Sequence, residues 1–122
     1  MSNLGHGSTV WIYHNSRCSK SRATLALLEE RGCAVEVINY LDTPPNAAEL
    51  GNLLKQLGMR PRGLLRTGEV EYQSLGLDDP ALDDAALIAA MVAHPKLIER
   101  PIVVANGKAV IGRPPEAVLA IL

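Results

Sequence analysis

Cys18 stands where an apolar run gives way to polar and basic residues, Tyr13-His14-Asn15-Ser16-Arg17-Cys18-Ser19-Lys20-Ser21-Arg22. A thiol does nucleophilic and redox work as its thiolate. An unperturbed thiol, with a pKa near 8.5, is only a few per cent ionised at about pH 7. Making it mostly thiolate asks for ~2.7 kcal/mol, the equivalent of about two pKa units. If a helix begins just after Cys18, the amides of Ser19, Lys20 and Ser21 lack intrahelical partners and favour negative charge. That end supplies about 0.3–1 kcal/mol, and about 2 kcal/mol at most. The remainder has to come from positive charge and hydrogen bonds, and Arg17, Lys20, Arg22 and His14 are all close in sequence. The same helix start suits a bound oxyanion.

Two neighbours have alternative roles. His14 closes the apolar run and can orient the cysteine loop or help ionise the thiol; it can equally be a hydrogen-bonded residue at a strand end. Ser21 occupies the position where a C-x-x-C dithiol protein has its second cysteine. Its hydroxyl can bond a thiolate or an anion, or satisfy the backbone of its own turn. Cys33 follows Gly32 and precedes apolar Val35, and reads as a packed, inert thiol. A helix spanning the fifteen residues from Cys18 to Cys33 is ~22 Å long at about 1.5 Å per residue, whereas disulfide Cα atoms lie within ~7 Å. The two cannot pair in that arrangement, so a cycle that oxidises Cys18 needs a thiol from outside.

The elements that position these residues follow from periodicity and breakers. Residues 10–13 read as a short strand. Residues 19–31 read as a helix closed by Gly32, and 35–39 as a second strand. Strand, helix, strand with short joints makes a βαβ unit with parallel strands. Asp42-Thr43-Pro44-Pro45-Asn46 breaks the rhythm. Leucines at 50, 53, 54 and 57 then mark a helix over 47–57, ended by Gly58. Residues 63–66 read as a short helical piece, and Asp83-Asp84 cap a further helix running to Ala93. Two apolar runs, 101–105 and 108–111, flank Asn106-Gly107, which signals a hairpin. Pro114-Pro115 suit the first turn of a last helix over 116–121. The order βαβ, helical insert, ββα describes a mixed four-stranded sheet of thioredoxin-like α/β class. One domain over 1–122 is expected, with a flexible tail at 1–8 and the insert at about 46–95.

Composition narrows the function classes. Twelve basic against thirteen acidic residues leave a net charge of −1, and the aromatics are one Trp and three Tyr with no Phe. Neither a broad electrostatic footprint nor a base-stacking platform for nucleic acid is present. No apolar segment approaches the ~20 residues a membrane helix needs. The first nine residues lack the basic and apolar regions of a secretory signal, so reduced thiols in the cytoplasm are the expectation. With two cysteines and three histidines and no ligand cluster, no metal is expected.

From Trp11 to Leu122 the chain resembles the glutathione- and glutaredoxin-coupled arsenate reductases of bacteria, in particular the subgroup with C-S-K-S-R in the active loop. The resemblance is carried by Y-H-N-S-R-C-S-K-S-R (13–22), L-L-R (64–66), H-P-K-L-I-E-R-P-I-V-V (94–104) and G-R-P-P-E (112–116). Where the family usually has Pro after His-Asn, this chain has Ser16, which should loosen the loop. The resemblance implies that Cys18 is the nucleophile and that Arg66, Arg100 and Arg113 hold the oxyanion. It also implies that His14 and Ser21 support the thiolate, and that Arg100-Pro101 is the cis bond of thioredoxin-like folds. An arginine stays protonated and forks two donors toward a tetrahedral oxyanion, which fits that role. The implied activity is reduction of arsenate to arsenite for arsenic detoxification. Glutathione is the cosubstrate, glutaredoxin the partner, and no cofactor stays bound. A second class of function is a glutathione-dependent thiol reductase, or a redox regulator that binds a protein such as RNA polymerase. The C-x-x-C switch of many such regulators is missing here.

Overall fold

The computed structural model describes residues 9–122; the tail expected at 1–8 lies outside the described residues. The chain divides into two compact units, one made of Met1–Thr43 with Arg100–Leu122 and the other of Pro44–Glu99.

In the first unit, β1 (Thr9–Tyr13), α1 (Ser19–Glu30) and β2 (Ala34–Ile38) form the expected βαβ element. β3 (Ile102–Ala105) and β4 (Lys108–Ile111) form the hairpin. The sheet order is β2-β1-β3-β4. β1 runs parallel to β2 and antiparallel to β3, with Ile12 opposite both Val37 and Val103. The hairpin turn has φ of 55° at Asn106 and 75° at Gly107, the left-handed pair a two-residue turn needs to match strand twist.

One sheet face carries the core. Val10, Ile12, Val103 and Ala105 pack with Leu28 of α1 and Val118 of the C-terminal segment. Each such buried aliphatic contributes about 1.5–3 kcal/mol relative to exposure, a smaller side chain such as Ala less. The buried stripe of α1 is Ser21, Thr24 and Leu28. It is apolar toward the helix C-terminus, where it anchors the helix, and polar toward the N-terminus. At its far end Arg31 caps the helix and Gly32, at φ 75°, reverses the chain. The amide of Cys33 then donates to the carbonyl of Leu28 at 3.1 Å, the long-range bond of a Schellman motif.

The closing segment differs from the expected α-helix. Pro115–Ile121 is a 3-10 helix, entered through two prolines that have no amide to donate. Arg100-Pro101 is cis, as the resemblance implies, and Arg113-Pro114 is cis as well.

Gly112 is sterically required. Its amide donates to the Pro101 carbonyl at 2.9 Å and its carbonyl accepts from Thr24 Oγ1 at 3.4 Å. A Cβ at this position would lie 2.6 Å from Thr24 Oγ1 and 2.9 Å from Pro101 Cγ. Gly112→Ala is therefore expected to destabilise the protein by about 1–3 kcal/mol, the usual cost of overpacking. It should also displace the adjoining Arg113. Urea unfolding measures the first effect, and an unchanged midpoint would contradict it.

The second unit holds α2 (Ala47–Leu57), α3 (Pro61–Leu64), α4 (Val70–Ser74), α5 (Asp84–Ala93) and a 3-10 turn at Pro95–Leu97. α2 starts with a capping box between Asn46 and Glu49 and stops at left-handed Gly58. Asp83 caps α5. The two helices pack on each other, and α3 also packs on α5, with Leu50, Leu53, Leu54, Leu64, Leu87 and Met91 buried. The helical piece expected at 63–66 lies earlier, because Pro61 starts it and Leu65 leaves it to form a β-bridge with Ile98. α4 was not anticipated individually. No helix among the described residues is long and apolar enough to cross a membrane.

Candidate active site

The site begins where β1 ends. The His14 amide donates to the Ile38 carbonyl at 2.8 Å, continuing the parallel ladder one residue past the strand. Asn15 then turns the chain. Its Oδ1 accepts from the Arg17 amide at 3.0 Å, an Asx turn, and its carbonyl accepts from the Cys18 amide at 3.0 Å. Arg22, reaching back from α1, donates through Nη1 to the Ser16 carbonyl at 2.9 Å. The loop expected to be loosened by Ser16 is thus tied to its own helix.

Cys18 is the N-cap of α1, in extended conformation, and is 9% exposed. No cap hydrogen bond of ordinary geometry reaches its sulfur, so the amides of the first turn act on it as oriented dipoles. Burial pushes the thiol up, while the Ser21 amide, the Arg100 guanidinium and the Lys20 amide push it down. The net result lies below the ordinary value. The stabilising donors favour the thiolate. Alkylation of Cys18 by iodoacetamide, followed against pH, is therefore expected to inflect below the pH at which free cysteine does. A profile superimposable on that of free cysteine would contradict this.

His14 Nδ1 and Ser21 Oγ share a buried hydrogen bond of 2.6 Å. The Asn15 amide donates to the same hydroxyl at 3.0 Å. Burial first, and then the charge of Arg22, hold the His14 imidazole below its ordinary value, so it stays neutral at neutral pH.

Arg113 follows the tightly packed Gly112. Its Nε donates to the Arg100 carbonyl at 2.8 Å, and its Nη2 donates to Cys18 Sγ at 3.5 Å. Two guanidinium groups thus act on one sulfur from the open end of the β3–β4 hairpin, where Ile102 pairs with Ile111. Arg66 belongs to the other unit, where Nε donates to Glu69 Oε2 at 3.1 Å and Nη1 to Glu99 Oε1. Burial lowers the Arg66 pKa, but Glu69 and Glu99 outweigh it and hold it raised. Of the six residues singled out in the sequence, the structure brings Cys18, His14, Ser21, Arg100 and Arg113 together within the first unit.

Sequence reasoning missed Asn15, Thr24, Glu69 and Glu99. Asn at a strand-to-helix turn is a recognisable Asx-turn signal, and Glu69 stands three residues after Arg66. Thr24 and Glu99 have no such local mark. Among the described residues, no group of three His, Cys, Asp or Glu side chains is arranged to hold a metal ion. Chemically, a nearly buried thiolate flanked by guanidinium groups can attack an electrophilic centre carried by an anion.

Residues 13–121 match the ArsC family. An arsenate reductase of Neisseria meningitidis serogroup B is 56% identical over 114 residues, covering 93% of this chain and 97% of that protein. An arsenate reductase of Haemophilus influenzae is 49% identical over 115 residues, covering 93% and 99%. The solved structure of an arsenate reductase from Vibrio cholerae superimposes with a TM-score of 0.93 at 57% identity, covering 96% of this chain and 100% of that one. With a family match across nearly all of its described length and relatives this similar, the chain belongs to the ArsC family.

Proposed function

We propose that this protein is a cytoplasmic arsenate reductase that draws its electrons from glutathione and is reset by glutaredoxin. The observation that carries the reading is the helix-capping Cys18 with Arg113 Nη2 at 3.5 Å from its sulfur and Arg100 stabilising its thiolate. The names of the similar proteins support arsenate as the substrate.

In this reading the Cys18 thiolate attacks arsenic(V). An arsenic–sulfur bond forms, and one arsenate oxygen leaves as water after taking up protons. Arg100 and Arg113 balance the charge of the oxyanion and of the transition state. His14 supports the thiolate indirectly, by fixing the Ser21 hydroxyl beside the helix start. The glutathione thiolate then attacks the Cys18 sulfur. A sulfur–sulfur bond forms, the electron pair of the arsenic–sulfur bond passes to arsenic, and arsenite is released. A glutaredoxin thiol finally attacks the mixed disulfide and frees Cys18.

The placement of the two cysteines supports an outside thiol. Cys18 caps the start of α1 and Cys33 lies just past its far end, and the twelve residues between the caps span ~18 Å. The test is arsenite production by the pure protein supplied with arsenate, glutathione and glutaredoxin. Steady arsenite release supports the proposal. Reduction of a glutathione mixed disulfide without any arsenite would replace it with a thiol reductase.

A further inference from the structure

Thr24 lies on the buried stripe of α1, fully out of solvent. Its hydroxyl donates to the Lys20 carbonyl at 2.8 Å, one turn back, and lies 3.4 Å from the Gly112 carbonyl. A hydroxyl has one proton, so the two contacts form a three-centre bond in which Lys20 takes the larger share. The bond to Lys20 is a local one that threonine commonly makes in helices. The reach to Gly112 crosses 88 positions of sequence and joins two separate elements.

Gly112 sits at the centre of a tight turn. Its amide donates to the Pro101 carbonyl at 2.9 Å, and the Arg113 amide donates across it to the Ile111 carbonyl at 2.9 Å. A Cβ on Gly112 would stand 2.6 Å from Thr24 Oγ1 and 3.0 Å from Thr24 Cγ2, so Thr24 packs directly on this turn. Arg113 leaves the turn with Nε on the Arg100 carbonyl at 2.8 Å and Nη2 at 3.5 Å from the Cys18 sulfur. One buried side chain therefore joins the first turn of the helix that Cys18 caps to the turn that delivers Arg113.

We propose that Thr24 is a positioning residue for the thiolate: its hydroxyl holds the Gly112 turn at the distance from α1 at which Arg113 reaches the Cys18 sulfur. This rests on the reading of Cys18 as the nucleophile made above. Valine has nearly the same shape but no proton for the Gly112 carbonyl. It also places a methyl where the hydroxyl stood 2.8 Å from the Lys20 carbonyl, closer than carbon and oxygen normally approach. The turn is then released from α1, and the guanidinium loses its fixed reach. Serine keeps the hydroxyl and lacks only the methyl.

The experiment compares Thr24→Val and Thr24→Ser in the full chain. Both leave the charged and titratable groups near Cys18 in the first unit in place, His14, Arg17, Lys20, Arg22, Arg100 and Arg113 included. A changed titration of Cys18 therefore reports where those groups stand. One readout, which needs no turnover, is the pH at which iodoacetamide alkylation of Cys18 inflects, followed by peptide map. The other is kcat/KM for arsenite formation in the glutathione–glutaredoxin assay. Thr24→Val is expected to move the inflection upward by about half a pH unit, a roughly threefold loss in thiolate preference. It should lower kcat/KM by about three- to tenfold, the scale of one hydrogen bond. Thr24→Ser should restore both. In an Arg113→Ala background, Thr24→Val should add no further shift of the inflection, because the two act through one contact. A valine variant with a lower urea midpoint but an unmoved inflection would reduce Thr24 to a packing residue and overturn the proposal. So would failure of serine to restore the inflection, or a full shift that persists without Arg113. The two readings fail separately. If the wild type makes no arsenite but the inflection moves as described, the positioning role stands and arsenate reduction falls. If the wild type turns over and neither readout responds to Thr24→Val, the positioning role falls alone.

Discussion

Cys18→Ser is expected to abolish arsenite formation while leaving the fold at least as stable as the wild type. A hydroxyl is a far weaker nucleophile at neutral pH and cannot form the disulfide with glutathione that carries the electrons. The fold is safe for a separate reason. Cys18 caps α1 without a close side-chain hydrogen bond, and serine is among the best N-cap residues. The variant therefore separates chemistry from folding: turnover at background, urea midpoint equal or higher. Residual turnover above background would move the nucleophile elsewhere. Cys33→Ser is the matched comparison. Cys33 is partly buried against the core at the far end of α1, so its loss should cost some stability and leave glutathione-dependent turnover in place.

The second large effect is expected at Arg113. Arg113→Ala removes a guanidinium that bonds both the Arg100 carbonyl and the Cys18 sulfur. A charge-assisted hydrogen bond contributes about 1.5–3 kcal/mol, so kcat/KM should fall roughly ten- to a hundredfold. The sign on the thiol is also fixed. Removing a positive charge beside Cys18 destabilises the thiolate, raises its pKa and moves the alkylation profile to higher pH. Arg113→Lys keeps a charge but cannot donate in two fixed directions. It should recover part of the ionisation and less of the turnover. Arg100→Ala is expected to act the same way, since Arg100 also stabilises the thiolate. Wild-type turnover in both alanine variants would remove the arginines from the mechanism.

What the sequence conveyed and what it withheld divide along range. α2 could be bounded to the residue, because its breaker, leucine spacing and terminal glycine are all local. The Asn106-Gly107 turn fixed the β3–β4 register for the same reason. The cysteine loop could be read as a helix start with basic neighbours, all within one short segment. Convergence is a different kind of fact. Arg113 reaches Cys18 from 95 positions away, and nothing in composition or periodicity encodes that meeting; only the family resemblance anticipated it. The carboxylates on Arg66 show the same division. Glu69 lies within reach at i+3, while Glu99 arrives only through the Leu65–Ile98 bridge. The short helical piece expected at 63–66 was misplaced for that reason as well, since a long-range bridge overrode local propensity.

The most direct measurement is the intact mass of the protein, with a peptide map, after treatment with arsenate and glutathione in the absence of glutaredoxin. A glutathione adduct confined to Cys18, formed only when arsenate is present and removed by glutaredoxin, is the expected result. An unmodified Cys18, or a disulfide between Cys18 and Cys33, would contradict the mechanism and the placement of the two thiols at opposite ends of α1.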